Sequence, residues 1–289
     1  MKRNKYLLGI FILSLVLLVG CSKNSTEKTI LTTTNTYYEP VKSIVGDKYK
    51  VESIIKSVNV DPHSYTPTSD VSQNVAKAPL IVSNGLGYDD WINKLVESNN
   101  KQDDLLSLGN DVLHLKNGSN EHVWFNVSYM KKLAKIFYQR ISEMDNLNKD
   151  YYKKNYQAYD KKLDKLIDKE NQIKKIANGK KAYVTEPLPD YLLKDLGVSV
   201  EDNHFAKAIE DGNDPSIKDI RDIQNGLKNH EVDFIVVNKQ VSSGTVDKIK
   251  TTAKENNIPI VYLTETLPSD VGYYSWMNGT LDEILDVLK

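Results

Sequence analysis

The chain has 289 residues, and its 38 Lys and Arg against 39 Asp and Glu leave a formal net charge of −1. That balance offers no basic excess of the kind used to bind nucleic acid, and the length allows one large or two modest α/β domains. A single cysteine excludes an internal disulfide and a thiolate metal site.

Residues 1–20 read as a signal peptide. Lys2, Arg3 and Lys5 precede an apolar run over 6–19, which ends in small residues at the expected cleavage point. The run is shorter than the roughly 20 apolar residues that a bilayer span requires. Leu18-Val19-Gly20-Cys21 resembles a bacterial lipobox, which implies diacylglyceryl attachment at Cys21. The alternative is an ordinary secretory signal with an incidental cysteine. A lipidated Cys21 would hold the chain to the bilayer, each buried methylene contributing about 0.8 kcal/mol. Residues 21–28 then form a polar, flexible tether.

From there strand and helix patterns alternate, which predicts βα units and parallel sheets. Strands are expected over 29–34, 51–55, 80–83 and 105–108, with helices over 39–45, 69–76 and 88–98. Residues 148–176 contain neither Pro nor Gly, and Tyr152, Tyr156, Tyr159, Leu163, Leu166 and Ile173 form an apolar seam. This seam predicts one long amphipathic helix of roughly 45 Å, stopped by Asn178-Gly179. A strut between two lobes fits it better than a coiled-coil dimer helix, because the seam is short and rich in tyrosine. Beyond it, strands are expected over 181–185, 198–201, 234–237 and 259–263. Helices are expected over 188–196, 216–227, 246–256 and 273–288. Asp214-Pro215-Ser216 places a proline in the first turn of one of these helices. The expected fold is α/β, with two lobes over 29–146 and 179–289. Each lobe is a mainly parallel sheet flanked by helices, and one long helix over 147–178 joins them.

Four segments place a metal-ligating residue type where a strand pattern gives way to a loop. His63 lies in Asp61-Pro62-His63, stiffened by prolines on both sides. His122 precedes Val123-Trp124-Phe125, and Asn126 is placed to cap the helix that follows. Glu186 and Glu265 each follow a threonine at the end of a predicted strand. In open parallel sheets ligands bind beyond the carboxyl ends of the strands, so both carboxylates point to a shared crevice. Two imidazoles and two carboxylates, a pair from each half, would enclose one divalent cation between the lobes. Taken singly, each histidine also reads as a surface or core residue, and each glutamate as a helix cap.

Asp61-Pro62-His63-Ser64-Tyr65 and His122-Val123-Trp124-Phe125-Asn126 resemble the two histidine motifs of the zinc- and manganese-binding solute-binding proteins of ABC importers. Asn84-Gly85-Leu86-Gly87-Tyr88-Asp89-Asp90-Trp91 is similar to that family's NGxGxExW stretch. Tyr274-Ser275-Trp276-Met277-Asn278 is similar to its YxxMMxxN run, one residue short. The resemblance implies His63 and His122 as the first two ligands and Glu186 as the third, where members carry histidine or glutamate. Glu265 falls where aspartate is usual. Asp270 is an alternative fourth ligand, and His204 a loop contact beside the site. His114 and His230 read as surface residues.

The resemblance further implies a lipid-anchored receptor on the outer face of the cell membrane. It would act as a monomer that carries Mn2+ or Zn2+ to an ABC permease. Glutamate at the third position tilts the cargo toward manganese, because carboxylate oxygens suit it while imidazole suits zinc. A secreted metallohydrolase and a surface adhesin are the competing classes. The hydrolase is disfavoured because four protein ligands leave little room for water or substrate.

Overall fold

The structure, a computed structural model, describes residues 28–289. The leader over 1–20 and Cys21 lie outside the described residues. Among the described residues no helix is long and apolar enough to cross a membrane.

The first sheet contains β1 (Thr29–Thr34), β2 (Lys50–Ile55), β3 (Ile81–Ser83) and β4 (Leu105–Ser107), in the order β2-β1-β3-β4. The second repeats this arrangement with β5 (Lys181–Val184), β6 (Ser199–Glu201), β7 (Phe234–Asn238) and β8 (Ile260–Leu263), in the order β6-β5-β7-β8. All strand pairs are parallel. Strands covered on both faces read as continuous apolar or β-branched runs, as in the wholly buried Phe-Ile-Val-Val-Asn of β7. In each lobe the strand order reverses beside the first strand, where an open sheet offers a crevice at its carboxyl edge.

Around the first sheet lie α1 (Tyr38–Val45), α2 (Ser69–Lys77), α3 (Trp91–Ser98) and α4 (Val127–Met144). The strut, α5 (Lys149–Ala177), follows as one unbroken helix of 29 residues. Asn178 caps it, and Gly179 takes a left-handed φ of 85°. Its seam is covered within the chain by α1, α4, α6 (Asp190–Leu196) and α10 (Tyr273–Leu288). One continuous apolar cluster therefore runs from Ile30 of the first lobe through Tyr159 and Leu163 to Leu281 of the last helix. Smaller clusters cover the outer sheet faces, around Leu31 and Ile92 in one lobe and Phe205 and Ile235 in the other. The second lobe is completed by α7 (Asn203–Glu210), α8 (Ile217–Lys228) and α9 (Gly244–Glu255).

Three features differ from the sequence expectation. The helix predicted from residue 88 begins at Trp91, because Gly85, Leu86 and Gly87 all take positive φ and hold the chain in a turn. Pro215 lies outside α8, because Ser216 is the cap and its hydroxyl accepts from Asp219 N–H at 3.1 Å. The segment around His204, expected as a loop, forms α7. The Asp202 carboxylate caps it, and Phe205 and Ala206 are buried beneath it.

Candidate metal centre

His63 lies in the loop after β2. Its backbone N–H donates to Asp61 Oδ1 at 2.9 Å, while Ser64 donates to the other oxygen. Trp91 Nε1–H donates to the Pro62 carbonyl at 3.1 Å, and the indole meets Tyr65 edge-on. The imidazole packs edge-on against Tyr88, with ring centres 5.0 Å apart, and its Nε2 lies 3.4 Å from Glu121 Oε1. The side chain is 43% exposed, so this donor lies in reach of solvent.

His122 is buried at the start of a tight turn over Val123–Phe125, with its ring edge-on to Trp124. Asn84 holds this loop by donating to the Glu121 carbonyl at 3.1 Å. Asn84 N–H and Gly85 N–H in turn donate to the buried carboxylate of Asp89. The turn that resembles a family motif therefore braces both histidine loops, one through Trp91 and the other through Asn84. Burial, with smaller contributions from the positive charges of His63 and Lys207, lowers the His122 pKa from 6.5 to about 3. Its ring is neutral at physiological pH, the form that ligates a metal.

Glu186 follows β5 and is buried; Asn238 Nδ2–H donates to its Oε2 at 2.5 Å. Burial lifts its carboxyl to about 7, the Asn238 hydrogen bond opposes this, and the charge of Glu210 adds to it. Glu265 follows β8. Its backbone N–H donates to Gln240 Oε1 at 2.7 Å, and Gln240 Nε2–H reaches across to the Val58 carbonyl of the first lobe. Trp276 Nε1–H donates to Thr264 Oγ1 at 3.2 Å, so the C-terminal motif braces this loop too. Burial also lifts Glu265 to about 7; Glu186 adds to the rise, while His63 and a hydrogen bond from Tyr88 oppose it. Glu265 thus feels Glu186 in its own lobe and His63 on the opposite lobe.

Sequence reasoning missed Glu210. Among the described residues, Glu121, His122 and Glu210 form the trio of potential ligands whose donor atoms all lie within 4.8 Å of one another. Glu210 Oε1 is 3.7 Å from His122 Nδ1, and its Oε2 accepts from Lys207 at 2.5 Å. Burial raises the Glu121 carboxyl, and the charge of Glu210 adds to the rise. The signals for Glu210 were an Asx-type cap at Asp202 and the apolar spacing of Phe205, Ala206 and Ile209. His204 is exposed in the first turn of α7, and its backbone N–H donates to Asp202; the opposite end of that helix reaches His122. Asp270 is exposed at a φ of 61° and lines a groove of about 790 Å³ between the lobes, together with Glu39, Lys42 and Lys56. His114 and His230 are exposed.

The family model described as ZnuA, zinc-uptake complex component A, periplasmic, matches residues 30–287. The chain belongs to the ZnuA family. Among ZnuA-type relatives, the metal ABC transporter substrate-binding lipoprotein FimA of Streptococcus parasanguinis is 32% identical, with both chains covered in full. The manganese ABC transporter substrate-binding lipoprotein PsaA of Streptococcus pneumoniae is also 32% identical, over 100% of this chain and 99% of that one. The ZnuA-family fold recurs in solved structures. The periplasmic zinc-binding protein TroA of Treponema pallidum superposes with a TM-score of 0.75 at 18% identity, over 91% of this chain and 99% of that one. The solute-binding protein FpvC of Pseudomonas aeruginosa, in complex with Mn2+, gives 0.73 at 22% identity over 91% and 98%.

Proposed function

We propose that this ZnuA-family protein captures one Mn2+ or Zn2+ ion between its lobes and delivers it to an ABC permease. The observation that carries this reading is that buried His122 of the first lobe lies 3.7 Å from the Glu210 carboxylate of the second, with His63 3.4 Å from Glu121 and with Glu186 and Glu265 at the ends of β5 and β8. An ion held by donors of both lobes would tie the lobes together. The proposed ligands are His63, His122, Glu186 and Glu265, with Glu121 and Glu210 supplying negative potential around them. A carboxylate at the third position, Glu186, favours Mn2+ as cargo, although Zn2+ binds most mixed sites more tightly.

In this reading residues 29–146 and 179–289 are the two lobes, and residues 147–178 are the strut. The apolar cluster shared through α5 limits opening, so release involves loop and modest lobe movement. The permease achieves release by binding the open form better, since only differential affinity shifts such an equilibrium. Diacylglyceryl at Cys21, with 21–28 as tether, holds the protein as a monomer on the outer face of the membrane, in line with the lipoprotein names of its relatives. The role proposed is transport, in line with the family description as a zinc-uptake component.

Titration calorimetry with each ion, paired with radiolabelled Mn and Zn uptake in cells carrying or lacking the gene, tests this function. One ion bound per chain and a gene-dependent uptake defect are expected. Binding of neither ion, or uptake indifferent to the gene, would overturn it.

A further inference from the structure

We propose that Asn120 is a positioning residue that makes the readiness of His122 depend on closure of the lobes. Its side chain is shared between them. Oδ1 accepts the backbone N–H of His122 at 2.9 Å and lies 2.9 Å from His122 Nδ1. Nδ2 donates to the Pro187 carbonyl of the second lobe at 2.8 Å and lies 3.4 Å from Asp190 Oδ2. The Asn120 carbonyl accepts from the Tyr191 hydroxyl at 2.9 Å. One amide therefore links the imidazole of the first lobe to the residue that follows Glu186.

The chemistry of these partners fixes the amide. A peptide N–H can only donate and a proline carbonyl can only accept. The oxygen must therefore face His122 and the nitrogen must face Pro187. An oxygen acceptor at hydrogen-bond distance then requires the proton on Nδ1, and the neutral ring keeps its lone pair on Nε2. Metal-ligating histidines are commonly held this way, with one nitrogen donating to an oxygen while the other meets the ion. Here the same amide also reaches the second lobe, through the Pro187 carbonyl. When the lobes part, Asn120 loses Pro187 and Tyr191 and keeps only the His122 backbone N–H, so its amide is freer to turn its oxygen away from Nδ1. Closure thus sets the ring for the ion, and opening releases both.

The inference rests on His122 as a cargo ligand, and the experiment separates the two claims. In metal-free protein, 15N-edited NMR of the His122 ring reads the tautomer without any ion. Nδ1–H is expected in the wild type, with its loss or averaging in Asn120→Ala. Asn120→Asp keeps an oxygen for Nδ1 but sets a carboxylate against the Pro187 carbonyl. It should retain the tautomer yet release Mn2+ faster in stopped-flow chelation. Asn120→Ala should lower Mn2+ affinity by about tenfold to a hundredfold, with circular dichroism confirming the fold of both variants. An Nε2–H tautomer in the wild type, or wild-type release rates in both variants, would overturn the role of Asn120. Unchanged Mn2+ binding in His122→Ala would instead overturn the cargo site, and the proposed role in capture with it, whatever the tautomer.

Discussion

Trp91 Nε1–H donates to the Pro62 carbonyl at 3.1 Å, so the loop that presents His63 is anchored to the first residue of α3. Trp91→Phe keeps an aromatic ring against Tyr65 and removes the donor. The expected outcome is a folded protein with severalfold weaker Mn2+ binding. The stability loss should be about 1 kcal/mol, the usual net contribution of one hydrogen bond. Calorimetric titration and thermal melting check the two parts separately.

Proton uptake at the site has a definite sign. Glu186 and Glu265 are raised from 4.5 to about 7, so their contribution to the stability of the metal-free protein is fully present below pH 4.5 and is lost as pH rises through about 7. His122, lowered from 6.5 to about 3, works in the opposite sense: its contribution is present above pH 6.5 and is lost as pH falls through about 3. An arriving cation must displace protons from the carboxyls but not from the imidazole. Affinity should therefore rise with pH up to about 7 and level off above it. Titrations in buffers of different ionisation enthalpy should show proton release near pH 6 that vanishes by pH 9.

Glu170 gives the strut a separate pH response. It is buried on α5, its Oε1 has no hydrogen-bond partner among the described residues, and burial, with the charge of Asp195 adding, raises it to about 8. Its stabilising contribution is lost as pH rises from 4.5 through about 8. Glu170→Gln should melt close to the wild type at pH 5 and above it at pH 9, with Mn2+ affinity unchanged at pH 7. Melting curves across that range provide the check.

Glu210 places a carboxylate oxygen 3.7 Å from His122 Nδ1. Glu210→Gln keeps the shape and removes the charge. Mn2+ and Zn2+ binding should both weaken severalfold and to a similar extent, because two ions of equal charge lose the same negative potential. Competition titrations with a chelator measure the ratio.

Much of this architecture was legible in the sequence. The seam from Tyr152 to Ile173 forecast the strut because a helical face repeats on a short period. Asn126 and Asn178-Gly179 forecast helix ends through local hydrogen-bond and backbone requirements. The four proposed ligands stood out because a parallel sheet sends its strand ends to one edge. Glu210 did not, since its importance comes from where α7 lies relative to His122, a relation made by packing of one lobe on the other. The braces were hidden for the same reason: Trp91 to Pro62, Trp276 to Thr264 and Gln240 to Val58 join residues distant in the chain. The turn over 84–90 misled the helix start because its positive φ values include Leu86, which carries no sequence signal for that conformation.

The central claim is that one cation sits between the lobes on His63, His122, Glu186 and Glu265. Anomalous diffraction from crystals grown with Mn2+ tests it most directly. The expected result is a single peak ligated by both imidazoles and both carboxylates, with Glu210 outside the ligand set. A peak held by Glu121, His122 and Glu210 away from Glu186 and Glu265, or no peak between the lobes, would contradict it.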